Sequence, residues 1–213
     1  MSLGSILSGV RSFQEEVFPS RRSEFEALGA GQKPGLLLVT CSDSRIDPAL
    51  LTGTAPGEIF VVRNAGNLVP PAEAGPGGEA ATIEYGIEAL GIRHIAVCGH
   101  SHCGAMAALR DPSAAEALQA VPSWLEHARS ALGRSASIGD GQDALMTTVA
   151  ANVLTQIDNL RTHPSVARAL ERGDLEVHGW VYDFERGELY VASDDNVFRS
   201  IRDTTVSEVR EVA

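Results

Sequence analysis

Three short runs of consecutive apolar residues punctuate the chain: Leu36-Leu37-Leu38-Val39-Thr40-Cys41, Ile59-Phe60-Val61-Val62 and His94-Ile95-Ala96-Val97-Cys98. Runs this short, with almost no polar interruption, suit strands covered on both faces in a parallel sheet. Later the pattern changes to alternation, over Leu175–Phe184 and Glu188–Ala192, with Glu185-Arg186-Gly187 between them as a hairpin turn. Helical spacing fills the intervals: Ala81, Tyr85, Ile87 and Leu90 within Gly78–Leu90, and the stretches 103–110, 121–132 and 142–162. Ahead of the first strand, residues 4–29 carry Leu7, Val10, Phe13 and Val17 at helical intervals, break at Pro19, and resume over Arg21–Leu28.

Strands alternating with helices predict an α/β fold: a central, mainly parallel β-sheet with an antiparallel edge strand, flanked by helices, with an N-terminal helical arm. The Pro/Gly-rich stretch Val69–Gly78 reads as a loop inside one domain, so residues 1–213 form a single unit of organisation with the arm at 1–34. An arm this amphipathic must pack on something, either the same core or a second subunit.

Composition narrows the partners. The 213 residues carry a formal net charge of -11, which disfavours nucleic acid or an anionic membrane as partner, since both select basic surfaces. No apolar run approaches the ~18–20 residues of a membrane span, and Met1–Val10 lacks the features of a secretory signal. The three cysteines, Cys41, Cys98 and Cys103, are too few and odd in number for a disulfide framework. A reducing, cytoplasmic setting is expected, with thiols that are buried, catalytic or metal-bound.

Two clusters carry candidate chemistry, each just past the end of a predicted strand. Cys41-Ser42-Asp43-Ser44-Arg45 follows the first run, and His100-Ser101-His102-Cys103 follows the run ending at Cys98. Ligand sites of open α/β sheets gather at the carboxyl ends of strands, so adjacent strands would deliver Cys41, His100 and Cys103 to one place. Two thiolates and an imidazole suit Zn²⁺, and three protein ligands leave the fourth position that catalytic zinc sites keep open. Asp43 could take that fourth position and close the site. Arg45 competes for the same carboxylate through its planar fork. Cys98, inside its strand, reads as a small buried hydrophobe, and His102 as a surface residue or a neighbour of the ligands rather than a ligand.

These motifs together resemble the β-carbonic anhydrases: Cys-Ser-Asp-Ser-Arg at 41–45, Cys-Gly-His-Ser-His-Cys-Gly-Ala-Met at 98–106, Pro56–Asn67, Ile83-Glu84-Tyr85-Gly86 and His178–Asp183. The resemblance spans about residues 12 to 200. It implies one Zn²⁺ per chain on Cys41, His100 and Cys103, with the catalytic pair Asp43 and Arg45 beside it and Asp43 a fourth ligand only in a closed form. It implies reversible hydration of CO₂ to bicarbonate and a proton by a hydroxide on zinc, in a homodimer or dimer of dimers. Gln32 would reach the partner subunit's site, Phe60, Ala65 and Tyr85 would line an apolar CO₂ pocket, and the Gly104 N–H would donate to substrate oxygen. Members that close with bicarbonate carry tryptophan three residues before the first cysteine ligand. This chain has Leu38 there, and with Gln32 and Pro70-Pro71 it is more similar to the constitutively open members. Two other functions fit the same ligands: hydrolysis of a CO₂ analogue such as carbonyl sulfide, and a non-catalytic, zinc-closed scaffold or bicarbonate sensor.

Overall fold

The structure is a computed structural model that describes residues 1–138 and 143–204. The chain divides into two compact units, Met1–Lys33 and Pro34–Ala213.

In the first unit the helix Leu3–Ser12 runs through a π-helical turn, Phe13–Val17, into the turn Phe18–Ser20, and a second helix covers Arg22–Gly29. Ser2 and Ser5 close a capping box at the start, satisfying backbone N–H groups that have no partner within the helix. The widened π turn ends two residues before Pro19, which has no N–H to donate. The helical path breaks two residues later, at Arg21, where the backbone leaves helical values (φ -117, ψ 15). Phe13, Phe18 and Phe25 gather their rings with centroids 5.5 to 6.3 Å apart. None of the side chains in this unit is buried. Leu3, Ile6, Leu7, Val10, Phe13 and Val17 recur at the three- and four-residue intervals that align on a helix, and all are exposed.

The second unit is built on a six-stranded sheet: β1 (Leu36–Cys41), β2 (Ile59–Asn64), β3 (His94–His100), β4 (Glu176–Asp183), β5 (Glu188–Ala192) and β6 (Phe198–Ser200). The order is β2-β1-β3-β4-β5-β6. β2, β1, β3 and β4 are mutually parallel, and β5 and β6 are antiparallel to their neighbours. The expected sheet is therefore present. Its antiparallel part holds one strand more than the sequence pattern predicted, so β5 lies inside and the three-residue β6 forms the edge. A strand that short cannot display an alternation long enough to read.

The long helix Ala144–Arg161 packs across β3 and β4. The predicted helix began at residue 142, which lies outside the described residues; Asp143 caps the observed one through the N–H groups of Leu145 and Met146. Val149, Val153, Leu154, Ile157 and Leu160 point into the core. Glycines on two neighbouring strands admit this helix closely. A Cβ on Gly99 would lie 2.7 Å from Val149 Cγ1, and one on Gly179 would lie 3.2 Å from Val153 and Ile157 methyls. On the other face of the sheet Leu38, Ala96 and Cys98 are fully buried beside Trp180 and Tyr182. Among the described residues no helix is long and apolar enough to cross a membrane.

Gly99→Ala tests that close approach. The added methyl meets β-branched side chains that are stiff at χ1, so unfolding free energy in urea should fall by about 1–3 kcal/mol, as for overpacked cores. An unchanged midpoint would mean that the helix has room to retreat.

Candidate metal centre

β1 and β3 are adjacent and parallel, in a register that sets Thr40 opposite Cys98. Their carboxyl ends therefore emerge side by side. Cys41 is the last residue of β1, His100 the last of β3, and Cys103 follows after a tight turn. That turn needs a left-handed residue, and His102 supplies it with φ 54, a conformation histidine adopts more readily than most residues. The helix Gly104–Arg110 begins directly after Cys103. One ligand atom each from Cys41, His100 and Cys103 lie within 4.8 Å of one another, and all three residues are buried.

The chemistry of this donor set fits a metal ion. His100 is fully buried and its Nδ1 lies 2.8 Å from the Ser101 carbonyl. That bond places the ring proton on Nδ1 and leaves Nε2 as a bare lone pair, the outer-sphere arrangement of metal-binding imidazoles. Nε2 has no hydrogen-bond partner among the described residues. A hydrogen bond from Cys103 pulls Cys41 well below the usual thiol range against the effect of burial, with further help from the Gly66 N–H. The same bond, with burial, pushes Cys103 up. Cys98 is a different case: burial pushes its thiol up to about 12, the behaviour of an inert core residue.

Asp43 stands beside the ligands without joining them. Arg45 donates from Nε to Oδ1 at 2.9 Å and from Nη2 to Oδ2 at 2.7 Å, and its backbone N–H also reaches Oδ1, at 3.0 Å. These bonds hold the carboxyl well below the usual carboxylate range. Arg45 is itself held, by the His102 carbonyl at 3.0 Å and by the Phe184 ring, 4.5 Å beneath the guanidinium. Asp43 Oδ2 lies 4.0 Å from His100 Nε2.

The surrounding loops are pinned from two sides. Arg63 on β2 donates to the carbonyls of Cys41, Asp43 and Ile46 at 2.9 to 3.1 Å, tying down the turn that follows β1. The Gly66 N–H donates to Cys41 Sγ at 3.3 Å. Gly66 needs its left-handed φ of 84, and a Cβ there would press on Ala105 at 3.0 Å. The loop carrying Gly66 is clamped by the long helix. Asn152 Nδ2 donates to the Gly66 carbonyl, Gln156 Oε1 accepts from the Val69 N–H, and Asn159 Nδ2 donates to the Val69 carbonyl, at 2.8 to 3.0 Å. Trp124 Nε1 donates to the Ala65 carbonyl at 2.8 Å.

The other anticipated residues fall in two places. Phe60 and Tyr85 stack loosely with centroids 6.1 Å apart, and Tyr85 opens a π-helical turn, Tyr85–Ala89, that continues Gly78–Glu84. Ala65 is exposed, and Gly104 is the first residue of its helix, where a backbone N–H has no partner within the helix. Gln32 belongs to the first unit and is exposed. His102 Nε2 donates to a Glu185 carboxylate oxygen at 2.7 Å and is half-exposed. Sequence reasoning gave no role to Arg63, Phe184, Asn152 or Gln156. The signal for the last two was available: amides at positions 152, 156 and 159 recur at helical spacing.

A family model described as carbonic anhydrase matches residues 36–189. The chain belongs to the carbonic anhydrase family. It is 47% identical over 186 residues to a carbonic anhydrase of Pseudomonas aeruginosa, covering 86% of this chain and 84% of that one. Against carbonic anhydrase 1 of Escherichia coli O157:H7 the identity is 44%, with 86% and 85% covered. The solved β-carbonic anhydrase CcaA superposes with a TM-score of 0.90 at 41% identity, over 99% of this chain and 95% of that one. A tetrameric β-carbonic anhydrase from Sordaria macrospora gives a TM-score of 0.77 at 28% identity, over 88% and 95%. The chain is thus a carbonic anhydrase of the β class, and its Cys-His-Cys group sits where the sheet brings two parallel strands to a common end.

The lowered pKa of Asp43 has a measurable consequence. A carboxyl whose folded pKa lies below its unfolded value adds stability above the unfolded value and loses it as pH falls through the folded one. The difference in unfolding free energy between the parent chain and Asp43→Asn should therefore be constant from neutral pH down to about 5 and shrink below about 4, the range of a free aspartate. A difference that stays constant through pH 3 would show that the carboxyl gains nothing from Arg45.

Proposed function

We propose that Cys41, His100 and Cys103 hold one Zn²⁺ per chain, and that the site catalyses the reversible hydration of CO₂ to bicarbonate and a proton. The observation that carries this reading is the pairing of a bare, buried His100 Nε2 beside two thiols with an Asp43 whose two oxygens are both occupied by Arg45. A purely structural zinc site uses a fourth protein ligand, and here the nearest carboxylate is engaged elsewhere. When bound, zinc supplies a Lewis acid that brings the pKa of water from 15.7 down toward about 7. Two thiolates donate more charge than imidazoles do, which moves activity toward the alkaline side.

The chain's own groups do the rest. Asp43, kept ionised by Arg45, accepts the hydrogen of the attacking oxygen and turns its lone pair toward carbon. Phe60, Ala65 and Tyr85 offer CO₂ an apolar wall, which keeps competing water away. The Gly104 N–H donates to the oxygen on which charge develops, and Gln32 from a partner subunit donates to the other. Asp43 would serve as a further ligand to a bound ion only where Arg45 released it. The proton leaves to solvent or buffer.

The arm supports an assembly of at least two chains. Its exposed apolar stripe from Leu3 to Val17 needs a cover, and a second copy of this chain meets that need, as a homodimer or, following the tetrameric relative, a dimer of dimers. The three free thiols suit a reducing cytoplasm.

Stopped-flow CO₂ hydration with zinc content on the same sample tests the site. Cys41→Ser and Cys103→Ser should lose metal and activity together, and full activity in either would remove that ligand. Asp43→Ala should keep zinc and lose roughly 10²–10⁴-fold in rate, the range of a positioned proton acceptor; normal turnover would exclude Asp43. For the arm, Leu7→Glu with Val10→Glu should lower the mass seen by light scattering and reduce kcat/KM. An unchanged mass would assign the stripe to contacts within one chain.

A further inference from the structure

A second cluster lies at the opposite, amino-terminal ends of β3 and β4. His94 opens β3 and pairs across the ladder with Glu176, the first residue of β4. His178 stands two residues further along β4, so strand alternation puts all three side chains on one face. This is the face that carries Leu38, Ala96 and Cys98.

The three side chains converge. His94 Nδ1 lies 3.3 Å from His178 Nε2 and 3.7 Å from a Glu176 carboxylate oxygen, which is itself 4.0 Å from His178 Nε2. A point equidistant from these three atoms lies about 2.1 Å from each, which is the bond length of zinc to imidazole nitrogen and to carboxylate oxygen. The rings are 5.5 Å apart and inclined by 30°. His178 is 9% exposed, and Nδ1, its other ring nitrogen, has no hydrogen-bond partner among the described residues. All of its polar bonding therefore runs through Nε2 toward His94. Burial, reinforced by His94, moves the His178 pKa down, which keeps the ring in the neutral form that metals bind. His94 and Glu176 are exposed, so the cluster has an entry path.

The geometry points to a second metal site, formed by His94, Glu176 and His178, that takes a borderline divalent transition cation such as Zn²⁺. Two imidazoles and a carboxylate exclude the hard, oxygen-seeking Ca²⁺ and Mg²⁺ and leave the coordination open to water. Its ligands come from two neighbouring strands, so a bound ion ties β3 to β4 at the end remote from the carbonic anhydrase centre and stabilises the folded chain by an amount that rises with the logarithm of free ion once the site fills.

The test separates this site from the thiolate one. Full-length Cys41→Ser, stripped of metal and titrated calorimetrically with Zn²⁺, should still take up one equivalent. Adding His94→Ala or Glu176→Gln, both at exposed positions where folding is not at risk, should weaken that uptake at least ~10–100-fold, the loss that even outer-sphere partners cause. Thermal unfolding should rise with Zn²⁺ in Cys41→Ser and not in the double variants. With Co²⁺ the uptake should lack thiolate charge-transfer absorption. Failure to bind Zn²⁺ in Cys41→Ser, or binding that survives both added substitutions (an adventitious ion only), would overturn the proposal. Neither result bears on the catalytic reading, which rests on the activity of the chain with Cys41 intact.

Discussion

The register between β1 and β3 is the constraint on which the site depends. Thr40 faces Cys98 in that ladder, and this fixes how far Cys41 and His100 project beyond the sheet. A slip of one residue would displace one strand end by about 3.3 Å, while a metal's ligand distances tolerate only about 0.2 Å. The register is strongly determined, because Leu37, Val39, Ile95 and Val97 must face the main core and Leu38, Ala96 and Cys98 the other side. Burial of ordinary aliphatic side chains thus sets the positions of the reactive ones.

What the ladder cannot set is the path of the chain once it leaves the sheet. There the polar groups take over. Arg63 gathers three carbonyls, of Cys41, Asp43 and Ile46, at the end of β1 and in the turn after it. The amides of Asn152, Gln156 and Asn159 hold the loop after β2, and with it the Gly66 N–H on the Cys41 sulfur. Asn152 and Gln156 are fully buried and satisfied by partners in that loop, so any rearrangement of the loop would strand polar groups in the core at about 1–3 kcal/mol each. The fork of Arg45 performs a related task for Asp43, fixing a charge by two parallel hydrogen bonds that a single point charge could not orient.

Much of this was legible in the residues. The apolar runs marked β1 to β3 because strands covered on both faces cannot alternate, and the ligand motifs stood out because Cys, His, Asp and Arg cluster just where those runs stop. The helix Gly104–Arg110 and the β4–β5 hairpin also appeared in the pattern. β6 did not, being three residues long, nor did the helix Pro164–Glu171. The amide clamp escaped for a different reason: its meaning depends on a loop some 90 positions away in the chain, and local spacing carries no record of that partner. Gln32 and the exposed arm mark a further boundary, since neither is buried within its own unit and no neighbour there assigns them a place.

The clamp has a consequence for transplanting this chemistry. A designer who grafted Cys-Ser-Asp-Ser-Arg and His-Ser-His-Cys onto the strand ends of another parallel sheet would carry over every donor atom. The graft would lack Asn152, Gln156 and Asn159, which sit on a helix that supplies none of the donors, and the two glycines that let that helix come near. Such a host would bind metal in a shell free to wander, with no fixed N–H at the Cys41 sulfur. The portable unit of this protein is therefore larger than its motif: two strands, one helix and the loop stretched between them.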